Sequence, residues 1–325
     1  MFWTLLRMKK TALKVGVGVT AVAFAQGVYI RSKFSQSINP EGPYYGTENW
    51  IENVKNELTK NRLKSEILFR KIGDLVISDK PRRKIKLLLL GDSLVCGVGS
   101  TDLVLPRVMA KTLSVALQAD VSWHARGING GTAEQLLTLV PSLKEDICHS
   151  DIQQEELYVV VICGLNDWKT VLTQFPHGSG PIIFKENLSK LLNDIKDLSG
   201  GQCRIFLPAL PIACVASDPQ ASLQVRPLKY FVDYVCGKWD YQKKILAESL
   251  GDCMNVRELL LCNSHLIIWC QVTYIDQPDV RADFATPGHG NVSEDGVHPS
   301  AQGYAWWARH IASVIIESAA AKAAR

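Results

Sequence analysis

The chain has 325 residues, of which 47% are hydrophobic and 21% are charged, values typical of a globular protein with a sizeable core. The formal net charge is only +4, and no block of Lys or Arg in the body of the chain is arranged to follow a phosphate backbone. These properties argue against a nucleic-acid partner.

The cysteines are interpreted as buried thiols. There are nine of them, an odd number, and several lie in or beside apolar runs, as Cys163 and Cys203 do. No two are spaced as Cys-x-x-Cys, so the sequence predicts neither a thioredoxin-type motif nor a metal site. This usage favours a reducing compartment.

The N-terminal segment, residues 1–33, is predicted to be a hydrophobic anchor or a targeting signal. The first 40 residues contain no Asp or Glu, and basic residues precede the uncharged stretch from Val15 to Ile30. The leading hypothesis is a single-pass membrane anchor, although the stretch is a little short for a bilayer. A cleaved signal peptide of a secreted protein and a mitochondrial transit segment are the alternatives.

The next segment, residues 34–80, is predicted to be a linker followed by a lead-in helix. Residues 34–50 are rich in Pro, Gly and polar residues, as linkers are. From Trp50 to about Ile77, apolar residues recur at helical spacing.

Strand and helix patterns alternate from residue 81 to residue 318. The predicted strands are Ile85–Leu90, Val121–Trp123, Leu157–Cys163, Arg204–Leu207 and Ser264–Cys270. The predicted helices are Leu103–Gln118, one starting at Thr132–Leu139, Lys185–Leu198, Leu228–Leu250 and Tyr304–Ile316. This order predicts an α/β domain with three α/β/α layers and a flavodoxin-like parallel sheet, in which ligands bind at the carboxyl ends of the strands.

Four short segments carry residue types suited to acyl transfer, and three of them closely follow a predicted strand. They are Gly91-Asp92-Ser93-Leu94, Gly127-Ile128-Asn129-Gly130-Gly131-Thr132, Gly164-Leu165-Asn166-Asp167 and Asp295-Gly296-Val297-His298-Pro299. A Ser hydroxyl is a poor nucleophile until a base removes its proton, and His is the side chain best suited to that task near neutral pH. A nearby carboxylate fixes the tautomer of the His ring.

Together these segments resemble the GDSL or SGNH family of esterases and lipases, which is named for a Ser, a Gly, an Asn and a His in four separate blocks. The resemblance spans about residues 83–315. It implies a hydrolase without a cofactor or metal that cleaves an ester bond through an acyl-enzyme. The implied substrate is a small-molecule ester, a lipid or an acetylated carbohydrate.

The resemblance also implies a role for each matching residue. Ser93 is expected to be the nucleophile, His298 the general base and Asp295 the residue that orients His298. The backbone amide of Gly130, the side-chain amide of Asn166 and the amide of Ser93 are expected to form the oxyanion hole.

Some alternatives remain open from the sequence alone. The same residues could serve an acyltransferase with an alcohol acceptor, or a binding module that does not turn its ligand over. Asp92 is interpreted as a turn residue rather than a catalytic one, and His289 is the one rival base. A nucleophile elbow of the larger α/β-hydrolase class does not fit, because Val95 occupies the position of its last Gly.

Overall fold

The structure is a computed structural model that describes residues 18, 21–22, 25–26, 38–60, 82–148, 155–173, 180–211, 226–251, 270–278 and 290–323. Its strands are β1 (Tyr45–Glu48), β2 (Lys84–Gly91), β3 (Asp120–Gly127), β4 (Glu155–Ile162), β5 (Cys203–Pro208) and β6 (Gln271–Ile275). Its α-helices are α1 (Trp50–Lys60), α2 (Val104–Leu117), α3 (Ala133–Leu136), α4 (Val140–Cys148), α5 (Leu165–Thr173), α6 (Pro181–Leu198), α7 (Leu228–Gly251) and α8 (Ala301–Ala323). A short 3₁₀ turn, Leu137–Leu139, joins α3 to α4.

The described strands form one sheet in the order β1-β3-β2-β4-β5-β6. Strands β2 to β6 are parallel to their neighbours, and β1 runs antiparallel to β3 at the edge. Without β1, this is the strand order of a flavodoxin-like fold. The predicted fold class is therefore confirmed.

Each face of the sheet is covered by its own helices, which produces two separate cores. Side chains along a strand alternate between faces, so Leu87 and Leu89 of β2 pack with α2 and α8. Leu88 and Leu90 pack on the other face with α6 and α7. Strand β2 is therefore buried on both sides, which explains why residues 87–90 form an apolar run rather than an alternating pattern.

Strand β1 corrects the prediction that residues 34–50 are a linker. Tyr45–Glu48 pairs with β3, with Tyr45 opposite His124 and Glu48 opposite Val121. The sequence gives little sign of this strand because it is short, partly exposed and held through its backbone.

The last strand also differs from the prediction. Cys270 precedes β6, which runs from Gln271 to Ile275, whereas the predicted strand was Ser264–Cys270. The apolar run before Cys270 dominated the pattern, while β6 itself mixes exposed and buried positions. Residues 264–269, like residues 61–77 of the predicted lead-in helix, lie outside the described residues.

The prediction of a single-pass membrane anchor in residues 1–33 is wrong for the part of the chain that the structure describes. No helix among those residues is long and apolar enough to cross a membrane. A spanning helix needs about 20 apolar residues, and the uncharged stretch from Val15 to Ile30 is shorter. Only five positions of that stretch are among the described residues. The expected membrane location and membrane partner are corrected with it.

Candidate active site

Ser93 lies in a tight turn at the carboxyl end of β2. The strand ends at Gly91, where a Cβ atom would collide with the carbonyl oxygen of Ile162 on β4. Glycine is required here because the turn approaches the neighbouring backbone so closely. Asp92 closes the turn by accepting a hydrogen bond from the Leu94 amide on its Oδ1 at 3.0 Å. Ser93 therefore lies at the carboxyl end of this central strand, with 4% of its surface exposed.

Asp295 and His298 lie on a loop that folds back on itself just before α8. An isolated β-bridge joins Val292 to Pro299. The Ser293 amide donates to the carbonyl oxygen of His298 at 2.9 Å. These bonds close the loop around the two side chains.

The Asp295 carboxylate is held by donors from its own loop. Its Oδ1 accepts from the Ser293 hydroxyl at 2.7 Å and from the amides of Val297 and His298 at 2.9 Å each. Burial by itself raises the pKa of Asp295, but hydrogen bonds from His298, Ser293 and these amides outweigh it. They hold the pKa of Asp295 well below its usual range, so the carboxylate is ionised at neutral pH.

His298 lies between Asp295 and Ser93. Its Nδ1 is 2.6 Å from Oδ2 of Asp295, and its Nε2 is 3.2 Å from Oγ of Ser93. An ionised carboxylate can only accept a hydrogen bond, so Nδ1 carries the ring hydrogen and the lone pair of Nε2 faces the hydroxyl. This arrangement can remove a proton from the Ser93 hydroxyl.

The expected oxyanion donors lie around the turn after β2. The Nδ2 group of Asn166, at the start of α5, donates to the carbonyl oxygen of Gly131 at 3.2 Å and to Oδ2 of Asp92 at 3.4 Å. Gly130 has a φ of +76°, and no atom of the described residues lies within 4 Å of where its Cβ would be. Within the described part of the chain, the backbone amides of Ser93 and Gly130 have no hydrogen-bond acceptor. Both amides are therefore available to a ligand.

The family model for the GDSL-like Lipase/Acylhydrolase matches residues 87–311, more than half of the chain. The chain belongs to this family. The resemblance carried by the four segments is thereby confirmed, and membership supports hydrolysis of ester bonds as the general activity. No curated protein matches the chain.

Solved structures similar to this one include three esterases or lipases. A GDSL-like lipase from Parabacteroides merdae is 19% identical, with a TM-score of 0.42, over 71% of this chain and 95% of that one. The lipase Lip_vut3 from a goat rumen metagenome is 18% identical, with a TM-score of 0.43, over 71% and 96%. The acetyl xylan esterase AlAXEase is 14% identical, with a TM-score of 0.44, over 71% and 99%. With identities below 20% and TM-scores below 0.5, these likenesses carry no argument about this chain.

Two buried carboxylates support the site of this GDSL-family chain. Asp92 is the predicted turn residue, and it additionally contacts Asn166 as described above. Asp167, the last residue of the third segment, accepts the Ala133 amide at the start of α3 on both oxygens at 3.1 Å. This bond joins the third segment to the start of α3, directly after the second segment. Burial raises the pKa of Asp92 and of Asp167 to about 6.

An ion pair that sequence reasoning missed lies beneath the site. Lys243 of α7 is fully buried, and its Nζ donates to the carbonyl oxygen of Pro208 at 2.9 Å and to Oδ1 of Asp240 at 3.0 Å. Asp240 in turn accepts the Leu210 amide at 3.1 Å. A Lys and an Asp three residues apart on a helix normally form an exposed pair, so the sequence carries no signal for this one. His289, the rival base, lies outside the described residues.

Gly99 sets the distance between the turn after β2 and the His298 loop. Its φ is +98°, and a Cβ there would lie 2.7 Å from the carbonyl oxygen of Pro299 and 2.8 Å from Cβ of His298. The left-handed backbone and the lack of space both exclude a side chain. Tyr304 of α8 adds a second link by donating to the carbonyl oxygen of Val98 at 2.8 Å.

Replacing Gly99 by Ala is therefore expected to displace His298 from Ser93. A misplacement of about 1 Å can cost about 100-fold in rate, so we expect kcat to fall about 10- to 100-fold. The measurement is kcat for a p-nitrophenyl ester together with Tm. Gly180→Ala is the matched control, because no atom of the described residues lies within 4 Å of a Cβ at Gly180. An unchanged kcat in a folded Gly99→Ala variant would contradict the prediction.

Proposed function

We propose that this chain is a serine esterase that hydrolyses a carboxylic ester, in a small molecule or a lipid, through an acyl-enzyme. The observation that carries the proposal is the position of His298. One ring nitrogen is 3.2 Å from the Ser93 hydroxyl and the other is 2.6 Å from the Asp295 carboxylate. Both distances are within reach for proton transfer and for orientation of the ring.

In the acylation step, Oγ of Ser93 attacks the ester carbonyl carbon while Nε2 of His298 takes the hydroxyl proton. Asp295 keeps the ring in the tautomer that presents a lone pair to Ser93, and its charge stabilises the imidazolium that forms. When the tetrahedral intermediate collapses, the imidazolium gives its proton to the departing alcohol.

In the deacylation step, His298 serves again as the base. Nε2 takes a proton from water as the water attacks the acyl-enzyme carbonyl carbon. Collapse of the second intermediate returns that proton to Oγ of Ser93 and releases the carboxylic acid.

The developing oxyanion would be bound by the amides of Ser93 and Gly130 and by Nδ2 of Asn166. The two amides are available, as noted above. The bond from Asn166 to Asp92, at 3.4 Å, is longer than the usual range of about 2.7–3.2 Å. Little is therefore lost when that N–H turns towards the oxyanion, while the 3.2 Å bond to Gly131 holds the side chain in place.

The test of this proposal is labelling by a fluorophosphonate probe, which reacts with an activated serine. We expect the wild-type protein to be labelled and Ser93→Ala to remain unlabelled. Ser100→Ala is the matched control, since Ser100 also lies between β2 and α2 and is equally buried, but its hydroxyl accepts the Asp102 amide. It should label as wild type does. Labelling of a folded Ser93→Ala variant at another residue would overturn the assignment.

A further inference from the structure

Two cysteines meet at the amino-terminal ends of β5 and β6, whereas Ser93 lies at the carboxyl end of β2. Cys203 is the first residue of β5, and Cys270 immediately precedes β6. Their Sγ atoms are 3.5 Å apart, although 67 positions separate them in the chain. Both are free thiols in the structure.

The backbone around these cysteines suits a disulfide bond. The residues that follow them, Arg204 and Gln271, are paired partners in adjacent parallel strands. Neighbouring strands are about 4.8 Å apart, which lies within the Cα separation of about 4.4–6.8 Å that disulfides span. Closing the bond requires the sulfur atoms to approach by roughly 1.5 Å, a shift that side-chain rotation can supply.

The two thiols differ in exposure and in acidity. Cys270 is half-buried, whereas Cys203 is only 1% exposed. The hydrogen bond shared with Cys203 and the nearby charge of Lys196 lower the pKa of Cys270, against an opposing effect of burial. The same hydrogen bond and burial raise the pKa of Cys203. Cys270 is thus the more accessible thiol and the better nucleophile.

We propose that Cys203 and Cys270 form a dithiol pair that peroxides oxidise to a disulfide. The Cys270 thiolate attacks one peroxide oxygen, the O–O bond breaks, and Cys270 becomes a sulfenic acid while the other oxygen leaves as water after protonation. The Cys203 sulfur then attacks the sulfenic sulfur. The S–S bond forms, the S–O bond breaks, and hydroxide takes the Cys203 proton to leave as a second water. Two thiols lose two electrons and hydrogen peroxide gains them.

This modification would act on stability and not on the esterase site. Strand β5 is six residues long, so the pair lies roughly 20 Å from the carboxyl ends of the strands, where Ser93 is located. A bond across 67 positions restricts the unfolded chain strongly. We expect oxidation to raise Tm by about 5–10 °C and to leave fluorophosphonate labelling unchanged.

The experiment treats the full chain with hydrogen peroxide, blocks the remaining thiols and digests the protein without reduction. Trypsin releases Cys203 in the peptide Asp197–Arg204, and chymotrypsin cuts after Trp269, which separates Cys270 from Cys262. Mass spectrometry should find the peptides of Cys203 and Cys270 joined, and the rise in Tm should be absent in Cys270→Ser. Cys236→Ala, which removes another buried free thiol, should still form the bond.

A second variant separates the two chemical roles. In Cys203→Ser the sulfenic acid on Cys270 has no resolving thiol, so trapping with dimedone should increase several-fold over wild type. Absence of the Cys203–Cys270 peptide in oxidised wild type, or a bond from Cys203 to a different cysteine, would overturn the proposal. Wild-type peptide mapping decides this even if a variant fails to fold.

Discussion

Replacing His298 by Ala is expected to lower kcat by about 10⁵–10⁶, and replacing Asp295 by Ala by about 10⁴, the scale found when comparable groups are removed from other serine hydrolases. In the proposed mechanism His298 moves the proton itself, so its loss is expected to cost more. Asp295 would act through His298, by the contact at 2.6 Å.

The double variant shows whether Asp295 and His298 act together or separately. If Asp295 works only by orienting and stabilising His298, removing both should cost little more than removing His298 alone. The assay is kcat and KM for a p-nitrophenyl ester in the two single variants and the double variant. His310→Ala is the matched control, because His310 is a half-buried residue of α8 whose Nε2 contacts the carbonyl oxygen of Asp276, away from Ser93 and Asp295 in the chain.

Two results would count against the assigned roles. Losses that multiply in the double variant would mean that Asp295 and His298 act separately. Full activity in a folded His298→Ala variant would require a different base. Asp295→Asn adds a further distinction, since it keeps the size of the side chain but not the charge, and a loss near that of Asp295→Ala would assign the effect to the carboxylate.

Replacing Asn166 by Ala is expected to lower kcat by about 10²–10³ with little change in KM. An oxyanion donor stabilises charge that exists only in the transition state, so its loss affects the chemical step more than substrate binding. The measurement is again kcat and KM, with Asn193→Ala on the exposed face of α6 as the matched control.

Asn166 also has a structural role that must be separated from this effect. Its side chain donates to Gly131 and to the buried Asp92, so its removal leaves Asp92 with one fewer donor. The change in Tm measures that role, whereas a fall in kcat at constant KM measures transition-state binding. A variant that raises KM alone would make Asn166 a substrate-binding residue.

Local signals in the sequence were sufficient for much of the fold. Strands β2 and β4 are buried on both faces over most of their length, so the apolar runs at residues 87–90 and 157–162 stand out in the amino-acid sequence itself. Asp295 and His298 are three residues apart and meet within one loop, so their contact could be predicted from spacing. The four segments also identified the family, whose model matches residues 87–311.

Only the tertiary structure decided which distant residues meet. Hydrophobic periodicity shows that a residue is buried but not which residue lies against it. Ser93 and His298 are 205 positions apart, and their 3.2 Å contact depends on the parallel sheet and on the close approach permitted by Gly99. Lys243 has the sequence context of a surface residue, and it is buried because its helix packs against the end of β5. Cys203 and Cys270 have the sequence context of separate core thiols, because strand pairing rather than local sequence brings them together.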